Sequence, residues 1–283
     1  MVIMFEKTDE EYYIKRAREH GENGNFKNAI NYSEKVLEIN PNNAEAYVLL
    51  GGCYFELQNY KKAIDDFTEA IDINPNYSNA YYNRGLIKSY LQDYNGAIDD
   101  YTRAVELDPN YVHAYYNRGV VKSHLHDYEG AVEDYTKTIE IDLNYVKAYY
   151  NRGNAKNNLQ DYEGAIEDYT KAIEIDPNYV KAYYNRGNAK NNLQDYEGAI
   201  EDYTKAIEID SNYVDAYYER GYAKFKIQDY KGAIEDCSKV IDLDPNCAEA
   251  YNNRGLVKLD LKDYKGAIKD YIKYLIIKFK NVI

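Results

Sequence analysis

The chain has 283 residues, with 35 lysines and arginines against 48 aspartates and glutamates and a formal net charge of −13. It therefore lacks the basic footprint that holds nucleic-acid phosphates. Hydrophobic residues make up 45%, but 36 residues are tyrosine and none is tryptophan, too few aliphatic side chains for one large compact core.

Charges of both signs are interleaved with hydrophobic positions along the whole chain, which argues against disorder. From Met1 to Glu10 there is no basic stretch, and the apolar run Val2 to Phe5 is too short for a secretion signal. No apolar run approaches a membrane span. Cys53, Cys237 and Cys247 are odd in number and form no CxxC pair, which suits reduced packing thiols. The expected location is cytoplasmic, with no membrane partner.

Pro41, Pro75, Pro109, Pro177 and Pro245 are spaced by 34 residues or twice that, and Leu143, Ser211 and Phe279 occupy the remaining grid points. The period divides the chain into a short N-terminal extension, 1–9, and eight units: 10–43, 44–77, 78–111, 112–145, 146–179, 180–213, 214–247 and 248–281. Position 4 of every unit is tyrosine, from Tyr13 to Tyr251. Glycine holds position 8 from Gly51 to Gly255, and alanine holds position 20 from Ala29 to Ala267. Small residues at helical spacing admit close helix approach. Units 146–179 and 180–213 differ only at Pro177 against Ser211.

Within unit 146–179 the pattern predicts a helix from about Val146 to Leu159, a turn with Asp161 as N-cap, and a second helix from about Glu163 to Ile175. Asp176-Pro177 stops it, because proline disfavours helix at the residue before it. Each unit is thus an antiparallel helix hairpin, and the chain is all-α.

The run Ala182-Tyr183-Tyr184-Asn185-Arg186-Gly187, followed by Tyr196, Gly198-Ala199, Tyr203, Ala206 and the proline at position 32 of most units, resembles the tetratricopeptide repeat. The resemblance covers residues 10–281. It implies a right-handed superhelical solenoid whose concave groove binds proteins or peptides.

At 100° per residue, positions 3, 4, 7, 8, 11 and 14 of the first helix share one face, which holds the repeated Tyr, Gly and Leu and is expected to pack. Positions 2, 5, 6, 9, 12 and 13 share the opposite face, which lines the groove in the family. In the fifth unit it reads Lys147, Tyr150, Asn151, Asn154, Asn157 and Asn158. In the sixth it reads Lys181, Tyr184, Asn185, Asn188, Asn191 and Asn192. Tyr82, Asn83, Tyr116 and Asn117 continue it in the third and fourth. Asparagine carries a donor and an acceptor, so a row of them suits the backbone of an extended peptide. A solvated polar surface is the alternative. The carboxylate clamp known in the family is incomplete, since position 5 is tyrosine and position 6 is never arginine.

Six units pair an arginine at position 7 with an aspartate at position 23: Arg84 with Asp100, Arg118 with Asp134, Arg152 with Asp168, Arg186 with Asp202, Arg220 with Asp236, and Arg254 with Asp270. These positions lie opposite each other in a hairpin, so ion pairing is expected; an anion-binding stripe is the alternative. A lysine at position 11, Lys88 to Lys258, lies one turn along.

No phosphate loop, catalytic pair or cofactor motif stands out, and His20, His113, His124 and His126 are expected at the surface rather than on a metal. Cys237 replaces an aromatic residue and reads as packing.

Glu10, Glu11, Lys15, Arg18 and Glu19 make a polar N-terminal cap. The last helix instead crowds Tyr271, Ile272, Tyr274, Leu275, Ile276, Ile277 and Phe279, among Lys269, Lys273, Lys278 and Lys280. It is expected to close on its own bulky side chains, or else to dock a partner or a second copy. The sequence thus points to a non-enzymatic scaffold for a protein or peptide ligand, without cofactor. The alternatives are a solenoid that assembles through its C-terminal helix and an adaptor for a separate enzyme.

Overall fold

The structure, a computed structural model, describes the backbone of residues 2–280 and the side chains of residues 9–279. The described residues form sixteen helices and no strand: Val2–Glu22 (α1), Phe26–Ile39 (α2), Ala44–Glu56 (α3), Tyr60–Ile73 (α4), Ser78–Tyr90 (α5), Tyr94–Leu107 (α6), Val112–His124 (α7), Tyr128–Ile141 (α8), Val146–Asn158 (α9), Tyr162–Ile175 (α10), Val180–Asn192 (α11), Tyr196–Ile209 (α12), Val214–Lys226 (α13), Tyr230–Leu243 (α14), Ala248–Asp260 (α15) and Tyr264–Lys280 (α16). Residues 2–9, expected as an extension, run into the first helix without a break. Among the described residues no helix is long and apolar enough to cross a membrane.

The chain divides into two compact units, one ending at Leu143 and the other starting at Asn144. Each is an all-α stack of helix hairpins. Within a unit every helix packs on the next. The first helices of neighbouring hairpins also touch (α1 on α3, α3 on α5, α5 on α7, and likewise α9 to α15), whereas among the described residues no second helices of neighbouring hairpins do. The odd-numbered helices therefore crowd together on one side of each unit, which places their polar face there.

Local chemistry makes each hairpin. In the fifth, Gln160 takes φ +63, donates its N–H to Asn157 O at 3.0 Å, and is followed by Asp161 N–H to Lys156 O at 2.9 Å. This is the double bond pattern of a left-handed helix stop. Asp161 then caps α10 by accepting the Gly164 N–H at 3.0 Å. A Cβ on Gly164 would stand 2.3 Å from that carboxylate, which would have to turn aside. At the far end the Asp176 side chain accepts Asn178 N–H at 3.0 Å and turns the chain.

The core is small residues against tyrosine. Ala165, Ala172, Ala199 and Ala206 are fully buried, with Tyr169 and Tyr203 at 1% and 0% exposure. A Cβ on Gly153 or Gly187 would stand 2.7 Å from the Tyr169 or Tyr203 ring, so the position-8 glycine is what lets the tyrosine close on the helix. Leu159 and Leu193, expected on the packing face, are instead 42% and 39% exposed. They are the C-cap residues of α9 and α11, where the chain leaves the helix and its face rotates away.

All six arginine–aspartate pairs are present. Arg186 donates Nε to Asp202 Oδ2 at 2.9 Å and Nη2 to Oδ1 at 2.6 Å, and Lys190 Nζ adds 2.8 Å to the same carboxylate. The aspartates are buried, and the guanidiniums lie against tyrosine rings, as Arg186 does over Tyr183 at 5.6 Å. The structure thus favours pairing over an anion-binding stripe. In the last pair burial works against the Asp270 carboxylate, yet hydrogen bonds from Arg254 and Lys258 hold it below its usual range.

The expected self-closure of the C-terminal helix is overturned. Ile277 is buried at 5%, but Ile272, Leu275, Ile276 and Phe279 are 54%, 48%, 46% and 67% exposed, continuing a stripe from Tyr264 and Ile268. These positions recur every three or four residues, so they form one apolar side of α16 that a single antiparallel neighbour cannot cover.

Candidate functional site

The polar face of the first helices is organised by tyrosines from outside it. Tyr150 on α9 sits against Tyr169 of α10 at 6.0 Å and Tyr179 of the following turn at 4.9 Å. Tyr184 repeats this with Tyr203 at 6.0 Å and Tyr213 at 5.0 Å, and Tyr82 with Tyr101 and Tyr111. The position-5 tyrosines are therefore wedges, half-buried and fixed. Burial raises the Tyr184 and Tyr82 hydroxyl pKa values, opposed by hydrogen bonds with Asn188 and Asn117 respectively, so both remain neutral phenols.

The asparagines bond to these phenols and to each other. Asn185 donates Nδ2 to Tyr150 Oη at 3.0 Å and to Asn154 Oδ1 at 2.8 Å. Tyr169 Oη also donates to Asn154 Oδ1, at 2.8 Å, and Tyr203 Oη to Asn188 Oδ1 at 2.8 Å. In the N-terminal unit Asn117 donates to Tyr82 Oη at 3.1 Å, and Asn83 to Asn79 at 2.8 Å. Tyr116 lies 5.9 Å from Tyr135. The amide groups are thus preset in orientation. Among the described residues nothing bonds to the Asn185 side-chain carbonyl or to the Asn154 amide N–H pair.

Between α9, α10 and α11 this network borders a recess of about 330 Å³ lined by Asn154, Asn157, Asn158, Tyr169, Asn185 and Asn188. Asn157 Oδ1 is shielded from solvent with no hydrogen-bond partner among the described residues. Of the residues expected from sequence, Tyr150, Asn154, Asn158, Asn185 and Asn188 are brought together here. Lys147, Lys181 and Asn192 are exposed and do not line it. Asn151 lies on the same helix, outside the lining. Tyr169 is the recess residue that a helical wheel of the first helix could not supply, since it comes from the second helix.

Among the described residues no three His, Cys, Asp or Glu side chains stand close enough to hold a metal ion. His124 stacks on Tyr94 at 5.9 Å, and His126 Nδ1 lies 2.8 Å from Tyr128 Oη. The cysteines are free, and burial pushes the Cys53 thiol up to about 11 and the Cys237 thiol up to about 12.

Family models described as tetratricopeptide repeat or TPR repeat match residues 90–123, 112–145, 146–179, 168–201, 187–228, 214–247 and 248–281. With the hairpins, the glycine–tyrosine closures and these matches in hand, the chain belongs to the tetratricopeptide-repeat family. That fold is a scaffold for protein–protein interaction. A model described as anaphase-promoting complex, cyclosome, subunit 3 matches residues 22–104, a minority of the chain. No curated protein matches.

Among solved structures the chain is similar to MamA, at 28% identity over 61% of this chain and 94% of that one, with a TM-score of 0.55. It is similar in fold to the C-terminal part of a TPR repeat-containing protein from Cytophaga hutchinsonii, at 23% identity over 85% and 98% of the two chains and a TM-score of 0.71. It is also similar in fold to YrrB, described as a TPR protein with an unusual peptide-binding site, at 22% identity over 65% and 95% and a TM-score of 0.61.

Proposed function

We propose that the protein is a non-catalytic scaffold that binds an extended peptide segment of a partner along the first-helix face, with the recess around Asn154, Asn185 and Asn188 as its central contact. The observation that carries this reading is the combination of a preset amide network and the unmet acceptor of Asn157. Backbone amides of an extended chain supply donors and acceptors in alternation, and so match it whatever their side chains. On this reading residues 10–281 form eight units, and each compact unit presents its own stretch of face. The test is selection of a phage-displayed random decapeptide library on the immobilised protein and on N154A/N185A/N188A, with circular dichroism confirming helix content. Enrichment by the wild type that the variant loses supports the reading. Equal enrichment, or none by the wild type, sinks it.

A second reading is favoured by the exposed apolar side of α16: association of two copies through that helix, eased by lysines at 265, 269, 273 and 278 in a chain of net charge −13. Light scattering across a concentration series, repeated on I272D/I276D, decides it. Growth that the variant abolishes supports association.

A further inference from the structure

Two changes coincide in the seventh and eighth hairpins. The column that holds Tyr101, Tyr135, Tyr169 and Tyr203 elsewhere holds Cys237. Where a Cβ on Gly187 would strike the Tyr203 ring at 2.7 Å, one on Gly221 would meet Cys237 Sγ only at 3.6 Å. The missing ring leaves a cavity of about 80 Å³, walled by Tyr222 and Phe225 of α13, Cys237 of α14, and Asn253, Leu256 and Val257 of α15. Cys237 and Val257 are buried at 3%, whereas Tyr222 and Leu256 are 38% and 44% exposed, so the cavity has a buried floor and an accessible rim. Its lining is mainly apolar, and a buried, protonated thiol behaves there as a small hydrophobe.

The second change is in charge. Columns that read Lys147 and Asn151, then Lys181 and Asn185, become Asp215 and Glu219. The two carboxylates lie one turn apart on α13, on the side that carries Tyr222 a further turn along. Glu219 is half-buried and has no hydrogen bond or ion pair among the described residues; burial first, and Asp215 second, raise its pKa. Around it stand the phenols Tyr184, Tyr203 and Tyr218. The nearby cation Lys226 is turned to the Tyr222 ring, 5.1 Å away, and Glu249 of α15 is engaged by Lys278. A carboxylate at that depth calls for a partner that the chain itself does not provide.

We propose that the seventh and eighth hairpins form a two-part subsite, in which a branched aliphatic side chain of the bound peptide enters the Cys237 cavity while an adjacent lysine or arginine pairs with Glu219 and Asp215. The cavity is about half the roughly 150 Å³ that admits benzene, which fits a Val, Leu or Ile tip. Charge complementarity names the neighbour. The subsite rests on the peptide-binding reading above and gives it a sequence preference that the amide recess lacks.

The test uses the full chain, the same decapeptide library, and two substitutions that return consensus residues of the other hairpins, C237Y and E219N. Both residues already fold in these columns, and C237L serves as a second cavity-filling variant. Peptides selected by the wild type are expected to carry Lys or Arg within about three residues of Leu, Ile or Val. A fluorescein-labelled synthetic copy of one of them is expected to bind C237Y and E219N each at least about tenfold more weakly. Loss on only one variant, or on neither, overturns the two-part subsite; if N154A/N185A/N188A still loses the peptide, the amide recess stands without it. No selection by the wild type overturns both.

Discussion

Arg186 and Asp202 face each other across one hairpin in a two-pronged ion pair, and the remaining guanidinium nitrogen, Nη1, reaches back to Thr170 Oγ1 of the preceding hairpin at 2.9 Å. One half-buried side chain thus ties its hairpin internally and to its neighbour. Asp202→Leu alone, which strands the guanidinium, is expected to cost about 3–5 kcal/mol, while Arg186→Leu/Asp202→Leu costs far less than the sum. Urea unfolding of the two singles and the double measures the coupling.

Asp66 occupies the same column as Asp202, but the column of its partner holds Leu50. Its Oδ2 is shielded and unbonded, and burial first, then Asp65, raise its carboxyl to about 7. The folded state then holds a proton that the unfolded chain releases near 4. This site's contribution is therefore full below about pH 4 and declines as pH rises to about 7. Leu50→Arg or Asp66→Asn should remove that decline, seen as a loss of slope in Tm against pH.

Gly187 and Gly221 occupy equivalent places with different neighbours. Gly187→Ala, forced against Tyr203, is expected to cost about 1–3 kcal/mol. Gly221→Ala meets nothing nearer than Asp236 Cβ at 3.3 Å and should be neutral or gain up to about 1 kcal/mol from helix propensity. Thermal melts of the two variants test both the closure and the space left by Cys237.

Gln160 and Gln194 hold left-handed φ values of 63 and 64, which a side chain disfavours. Gln160→Gly should raise stability by up to about 1 kcal/mol, the relief of the Cβ outweighing the entropy that glycine adds to the unfolded chain. A rise in the urea midpoint without a change in slope checks it.

The period, the hairpins and the arginine–aspartate pairs were legible because each depends on residues at fixed spacing within one unit. The asparagine face was legible only in outline. A helical wheel shows that Asn185 and Asn154 share a side, but not that they bond to each other and to Tyr150, since that depends on how neighbouring hairpins meet. The open side of α16 was misjudged for a related reason. Bulky residues suggest closure, yet among the described residues the helix packs on α15 alone, and Ile272 and Phe279 stay exposed. The Cys237 cavity had a visible sign, one break in a tyrosine column, whose meaning emerges only beside Gly221.

The backward reach of arginine to threonine recurs from Arg84 to Thr68, Arg118 to Thr102 and Arg220 to Thr204. A duplicated hairpin therefore arrives with both halves of its seam, the guanidinium its predecessor's hydroxyl awaits and the hydroxyl its successor will use. The array can lengthen or shorten by whole hairpins and leave no seam arginine unmet, whereas a change of any other length breaks two seams at once. The near-identity of residues 146–179 and 180–213 is what such growth would leave behind.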